Sequence, residues 1–184
     1  MTLGSISSGL DDPTMRHTYA VKNAYVWGYP HQGRRSYPST LTGYRLFTVP
    51  GYDFEFKMEP MIDLQPSWLD SVISSAARLL ALEPNWDSYG APPIDPDRLF
   101  YGLNLLTSLL PSGTPAPAVV PTNSGGVQFE WHTQGIDLEL EVIAVGKVNL
   151  FYENELTGET SERELAFDLS DLSPAISHLG PQAL

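Results

Sequence analysis

From Val127 to Val142 the chain alternates apolar and polar residues with a period of two, and no other feature constrains its fold as strongly. Val127, Phe129 and Trp131 alternate with Gln128, Glu130 and His132; Ile136, Leu138, Leu140 and Val142 alternate with Asp137, Glu139 and Glu141. Successive side chains of a strand point to opposite faces, so each run predicts a strand with one buried and one wet face. Val119-Val120 precedes these runs. Lys147–Glu153 and Glu162–Phe167 follow, joined through Leu156-Thr157-Gly158-Glu159. The short connections favour an antiparallel meander over about residues 118–168.

Ahead of the meander the period changes to that of helices. Leu69, Val72, Ile73, Ala76, Leu79 and Leu80 form one apolar stripe, which predicts a helix over about 67–82, with Ser67 as its cap in a box closed by Asp70. A second helix is predicted over about 96–110. Asp95 is suited to cap it, Pro96 fits the first helical position, and Leu99, Phe100, Leu103, Leu106 and Leu110 recur at helical spacing. Pro111-Ser112-Gly113 ends it. A short closing helix is expected over about 170–179, with Pro174 in its first turn.

Residues 18–60 read differently. Tyr52, Phe54 and Phe56 alternate with Asp53, Glu55 and Lys57, and Pro50-Gly51 is suited to a type II turn between Leu41–Val49 and Tyr52–Met58. Ten of the chain's twenty aromatics lie between Tyr19 and Phe56. The expected class is α+β: an antiparallel β-meander sheet packed by two central helices, with an aromatic-rich N-terminal β-hairpin region. The expected organisation is a flexible segment (1–17), the hairpin region (18–60) and the α+β core (61–184). The hairpins either extend the core sheet or make a second one.

Composition narrows the chemistry. There is no cysteine, which removes thiol nucleophiles, Cys-ligated metals and disulfides together. No apolar run reaches the roughly 18 residues of a membrane span, and the first ten residues lack the pattern of a secretion signal, so the expected location is the cytoplasm. Net charge is −12. Residues 1–57 carry six Lys/Arg against four Asp/Glu, whereas residues 58–184 carry four against eighteen. So acidic a body repels nucleic-acid phosphates and anionic lipid and attracts a basic protein.

Three clusters are candidate sites. Glu130, Asp137, Glu139 and Glu141 project from one face of the predicted hairpin, suited to a basic partner; the plainer reading is a solvated face that resists aggregation. Asn85–Ile94 packs Trp86, Asp87 and Tyr89 between prolines. It reads as an ordered turn whose Asp87 accepts backbone N–H groups while Trp86 and Tyr89 fill the cleft between the helices, or as the rim of a pocket. Arg34 and Arg35, in a Gly/Pro loop near Tyr29 and Tyr37, are suited to clamp a phosphate, the plainer reading being a surface loop. His17, His31, His132 and His178 form no local ligand pair, and carboxylates on one flat face diverge, so no metal and no cofactor is expected. No catalytic triad or nucleophile elbow is present.

Asn85-Trp86-Asp87-Ser88-Tyr89-Gly90-Ala91 followed by Gly125-Gly126-Val127-Gln128-Phe129-Glu130-Trp131 resembles a group of small bacterial proteins. They share a W-D-[SG]-Y-G-A turn and a downstream G-G-[VI]-x-x-E-W strand, and the likeness covers about residues 70–153. It implies a bacterial or phage-related context and no particular activity. The expected function is a non-enzymatic protein-binding module, antitoxin-, immunity- or inhibitor-like. Two alternatives stand beside it. One is an enzyme with a carboxylate/His site at Asp87, Tyr89, Glu130 and His132. The other is a structural subunit of a larger assembly, associating through the N-terminal aromatic region.

Overall fold

A five-stranded antiparallel sheet in simple sequential order forms the framework of the core. The computed structural model describes residues 66–111, 113–166 and 172–179 in full, together with the backbone of four earlier strands. Those earlier strands are β1 (His17–Val21), β2 (Ala24–Pro30), β3 (Tyr44–Val49) and β4 (Tyr52–Met58), forming a separate antiparallel sheet of order β1-β2-β4-β3. The segment 1–16, the Arg34-Arg35 loop, the Pro50-Gly51 turn and the packing of the N-terminal aromatics lie outside the described residues.

The core runs α1 (Leu69–Leu80), α2 (Pro96–Leu109), β5 (Ala118–Pro121), β6 (Val127–Thr133), β7 (Ile136–Ala144), β8 (Lys147–Asn154), β9 (Glu159–Ala166) and α3 (Leu172–Ser177). Its class is α+β, and the alternation predicted for β6 and β7 appears as alternate burial. The two-residue loop Gln134-Gly135, with φ of 54° and 74°, joins them as a turn that matches strand twist and so fixes their register. Val127, Phe129, Trp131, Leu138, Leu140, Val142, Val148, Leu150 and Tyr152 all face inward against the helices.

Two local details differ from expectation. Ser67 does not cap α1. The cap position belongs to Trp68, which makes no side-chain cap bond and has helical dihedrals. Its indole is 1% exposed, so core burial fixes the entry of the chain, and the turn begins where Leu69 N–H donates to the Pro66 carbonyl at 3.1 Å. Asp95, by contrast, caps α2 as predicted, accepting the Asp97 N–H at 2.9 Å with Pro96 behind it.

Helix α2 is buried all round its middle rather than along one stripe. Gly102 touches the meander, while Phe100 and Asn104, about half a turn away around the axis, are 0% and 1% exposed. The backbone of β1 and β2 runs alongside this helix, so α2 lies between the two sheets. Helix α3 closes the core through Leu172, Ala175 and Ile176, and His178 just beyond it meets the Tyr152 hydroxyl at 2.6 Å. Among the described residues no helix is long and apolar enough to cross a membrane.

Candidate functional site

Because the inner face of the meander is filled, its polar residues lie on the outer face. The β6–β7 register sets Gln128 opposite Glu141, Glu130 opposite Glu139 and His132 opposite Asp137. Strand β8 adds Asn149 beside Glu141, Phe151 beside Glu139 and Glu153 beside Asp137. Strand β9 adds Glu164 beside Asn149 and Glu162 beside Phe151. The four carboxylates singled out from the sequence therefore do share one face. Glu153, Glu162, Glu164 and the half-buried Phe151 join them, unforeseen because their membership depends on the β8 and β9 registers.

Like charges directly opposite on neighbouring strands cost stability, and neutral donors hold this pair in place. Gln128 Nε2 donates to Glu130 Oε1 at 3.0 Å and to Glu139 Oε2 at 2.8 Å. His132 Nδ1 lies 2.7 Å from Asp137 Oδ1, and its Nε2 lies 3.6 Å from Glu130 Oε2. The hydrogen bond to Asp137 raises the His132 pKa above its ordinary 6.5, helped by the negative charges of Asp137 and Glu130 and opposed by partial desolvation. On this face Lys147 is taken by Glu164 at 2.8 Å. An amide orients a carboxylate without neutralising it, so the middle of the face keeps its negative charge.

The Asn85–Ala91 loop satisfies itself. Asn85 N–H donates to the Ala91 carbonyl at 2.7 Å, and Asn85 Oδ1 accepts the Gly90 N–H at 2.8 Å. Asp87 Oδ1 accepts the N–H groups of Tyr89 and Ala91 at 2.8 and 3.0 Å. Trp86 is half-buried, with its indole N–H on the Pro92 carbonyl at 3.0 Å. Tyr89 does not fill the cleft between the helices. It is 94% exposed, and the residues that enter the core from this loop are Ala91 and Ile94, each 4% exposed. The backbone explains the exchange: Asn85 and Ser88 take positive φ, and the fold-back that puts the Ala91 N–H on Asp87 turns the tip outward.

The backbone N–H of Ala91, then that of Tyr89, holds the Asp87 carboxyl below its ordinary pKa of 3.8. A lowered folded-state value stabilises the fold above pH 3.8, and that contribution fades as pH falls through the folded value. Asp87→Asn should therefore be less stable than wild type at neutral pH, with a gap that narrows steadily below pH 3.8. Urea unfolding along a pH series measures it.

The loop is anchored at the β5–β6 turn. Asp95 N–H donates to the Gly125 carbonyl at 2.8 Å, and Arg98 Nη1 donates to the Ser124 carbonyl at 3.2 Å. Strand β6 runs away from this turn, and the five steps from Val127 to His132 span about 17 Å at roughly 3.3 Å each. Glu130 and His132 come together with Asp137; Asp87 and Tyr89 belong to a different end of the sheet, with Asp87 Oδ1 committed to backbone. Among the described residues no hydrogen bond or ion pair links Asp87 or Tyr89 to Glu130 or His132. Arg34 and Arg35 lie outside the described residues. Among the described residues no group of three or more His, Asp or Glu side chains is placed to hold a metal ion. Comparison of the chain with protein-family models, with curated proteins and with solved structures finds no match.

Proposed function

We propose that this chain is a non-enzymatic acidic binding module that holds a basic protein partner on the outer face of β6–β9, in the manner of an antitoxin, immunity or inhibitor protein. The observation that carries this reading is the row Glu130–Glu139–Phe151–Glu162 across four adjacent strands. Within it, two opposed carboxylates share one neutral amide, and an aromatic ring sits between Glu139 and Glu162. Such a row suits guanidinium groups, which pair with carboxylates through a planar fork and stack on aromatic faces. Phosphate groups of nucleic acid or anionic lipid are repelled by it. The reading needs no cofactor, treats the N-terminal strands as an aromatic-rich hairpin region with a sheet of its own, and has the protein act in the cytoplasm.

The test is a peptide of alternating arginine and serine, followed by fluorescence anisotropy at low salt. Wild type should bind it saturably and more weakly as salt rises. The triple variant Glu130→Gln, Glu139→Gln, Glu141→Gln should lose about tenfold or more in affinity. Replacing the exposed Glu83, Glu155 and Glu159 by Gln removes the same net charge elsewhere and should cost far less. Equal losses in the two triple variants, or binding indifferent to salt, would show that the face is not the binding surface.

A further inference from the structure

His132 stands at the end of the carboxylate row with one ring nitrogen on each of two acids, Nδ1 at 2.7 Å from Asp137 and Nε2 at 3.6 Å from Glu130. The two contacts differ in kind. A neutral ring that donates its Nδ1–H to Asp137 turns the bare Nε2 lone pair towards Glu130, so two acceptors face each other. Protonation places an N–H on Nε2 and converts that contact into an ion pair. Glu130 is the same carboxylate that Gln128 ties to Glu139, so the ring sits at one end of the chain of contacts that holds the face. Among the described residues the charged groups around it are Glu130 on its own strand, Asp137 and Glu139 on β7, and Glu153 on β8, in register with Asp137. All are acidic. Lys147 lies at the other end of β8, in register with Ala144 and held by Glu164.

We infer that His132 is a protonation switch for this face: protonated, it occupies Glu130 and Asp137 from within, and deprotonated, it leaves Glu130 and its own Nε2 as paired acceptors for a cationic side chain of the partner. The inference rests on the reading of the face as a cation-binding surface. A guanidinium presents several N–H donors in one plane, and two of them match a carboxylate oxygen beside a neutral imidazole nitrogen. An unperturbed imidazole changes charge over a range centred on about pH 6.5. Above that range the face is at its most negative and most open. The raised His132 pKa brings the change towards neutrality.

The alternating Arg–Ser peptide with both termini blocked is the right probe, because arginine keeps its charge throughout and every pH effect then belongs to the protein. Wild type should bind it several-fold more weakly at about pH 5.5 than at about pH 8.5, as expected for one charge exposed to solvent. His132→Gln, with His132→Asn as a second variant, should flatten the difference and hold the tighter value at both pH values. His132 is 57% exposed in its side chain, so neither change disturbs the core. The imidazole resonance of His132 gives an independent readout, and Glu130→Gln should lower its titration midpoint. A pH dependence that persists unchanged in both His132 variants overturns the switch and leaves the face intact. Absence of saturable binding by wild type at either pH overturns the face and the switch with it.

Discussion

Phe129→Ala is expected to destabilise the fold by about 3–5 kcal/mol, the range for removing a buried ring from a close-packed core. Phe129 is 1% exposed on β6, and its far edge fills the space beneath α2 at Gly102. A Cβ at position 102 would lie 2.6 Å from Cε2 and 2.9 Å from Cζ of that ring, and 3.1 Å from Cγ2 of Val142. The helix is thus seated as low on the sheet as a glycine permits. Gly102→Ala gains about 1 kcal/mol of helix propensity and meets an overpacking cost of roughly 1–3 kcal/mol, so a net loss is expected. The two sites are coupled. In a Phe129→Leu background the clashing ring atoms are gone, and Gly102→Ala should become neutral or stabilising. Urea unfolding of the four proteins in that cycle gives the coupling energy, expected at about 1–2 kcal/mol. Additive effects would mean that the helix does not rest on Phe129.

The sheet was legible in the sequence because a period of two over Val127–Val142 leaves a strand one way to bury its apolar set. The α2 cap was legible for the same local reason, since Asp95-Pro96 needs no tertiary partner to act. The Ser67 cap failed because Trp68, one residue on, is drawn into the core, and burial of an indole outweighs a single cap bond. The all-round burial of α2 was hidden because the spacing of Leu99, Phe100, Leu103, Leu106 and Leu110 marks a single stripe, and only a second layer makes Tyr101 and Asn104 interior.

The candidate face was legible along β6 and β7 and not across the sheet. Glu130, Asp137, Glu139 and Glu141 follow from alternation, but which β8 and β9 residues flank them is a matter of register, and the turn over 155–158 together with the irregularity between Val142 and Ala144 sets it. Phe151 therefore gave no signal by itself. It becomes informative once Glu139 and Glu162 lie on either side. Tyr89 shows the reverse error. Aromatic residues in a Pro-bounded loop suggest burial, yet the backbone bonds of Asn85 and Asp87 turn the ring at the tip out into solvent.

Gly126→Ala is expected to cost stability near the upper end of the roughly 1–3 kcal/mol typical of overpacking, and no side-chain substitution nearby should rescue it. A Cβ there would lie 2.7 Å from Thr122 Oγ1 and 2.8 Å from the Val142 carbonyl oxygen. Thr122→Ala removes the first contact but also the oxygen that accepts the Gly126 N–H at 3.0 Å; the second is the backbone of β7 and cannot move without moving the sheet. This is the difference from Gly102, where the obstruction is a ring that a smaller side chain replaces. The location matters because the two halves of the Trp-Asp-Ser-Tyr-Gly-Ala and Gly-Gly-Val-Gln-Phe-Glu-Trp pattern meet here. Pro92 and Pro93 close over Gly125, the Asp95 N–H reaches the Gly125 carbonyl, and Thr122 braces Gly126. Those glycines thus clasp the loop before α2 to the head of β6, while the outer carboxylates lie further along the sheet. Gly126→Ala should accordingly lower the urea midpoint while its folded fraction binds the Arg–Ser peptide as wild type does. The Glu130, Glu139, Glu141 triple variant should do the opposite, losing the peptide while keeping a midpoint close to that of wild type. A Gly126→Ala protein that stays folded yet loses the peptide would place the binding surface at the clasp instead of on the face.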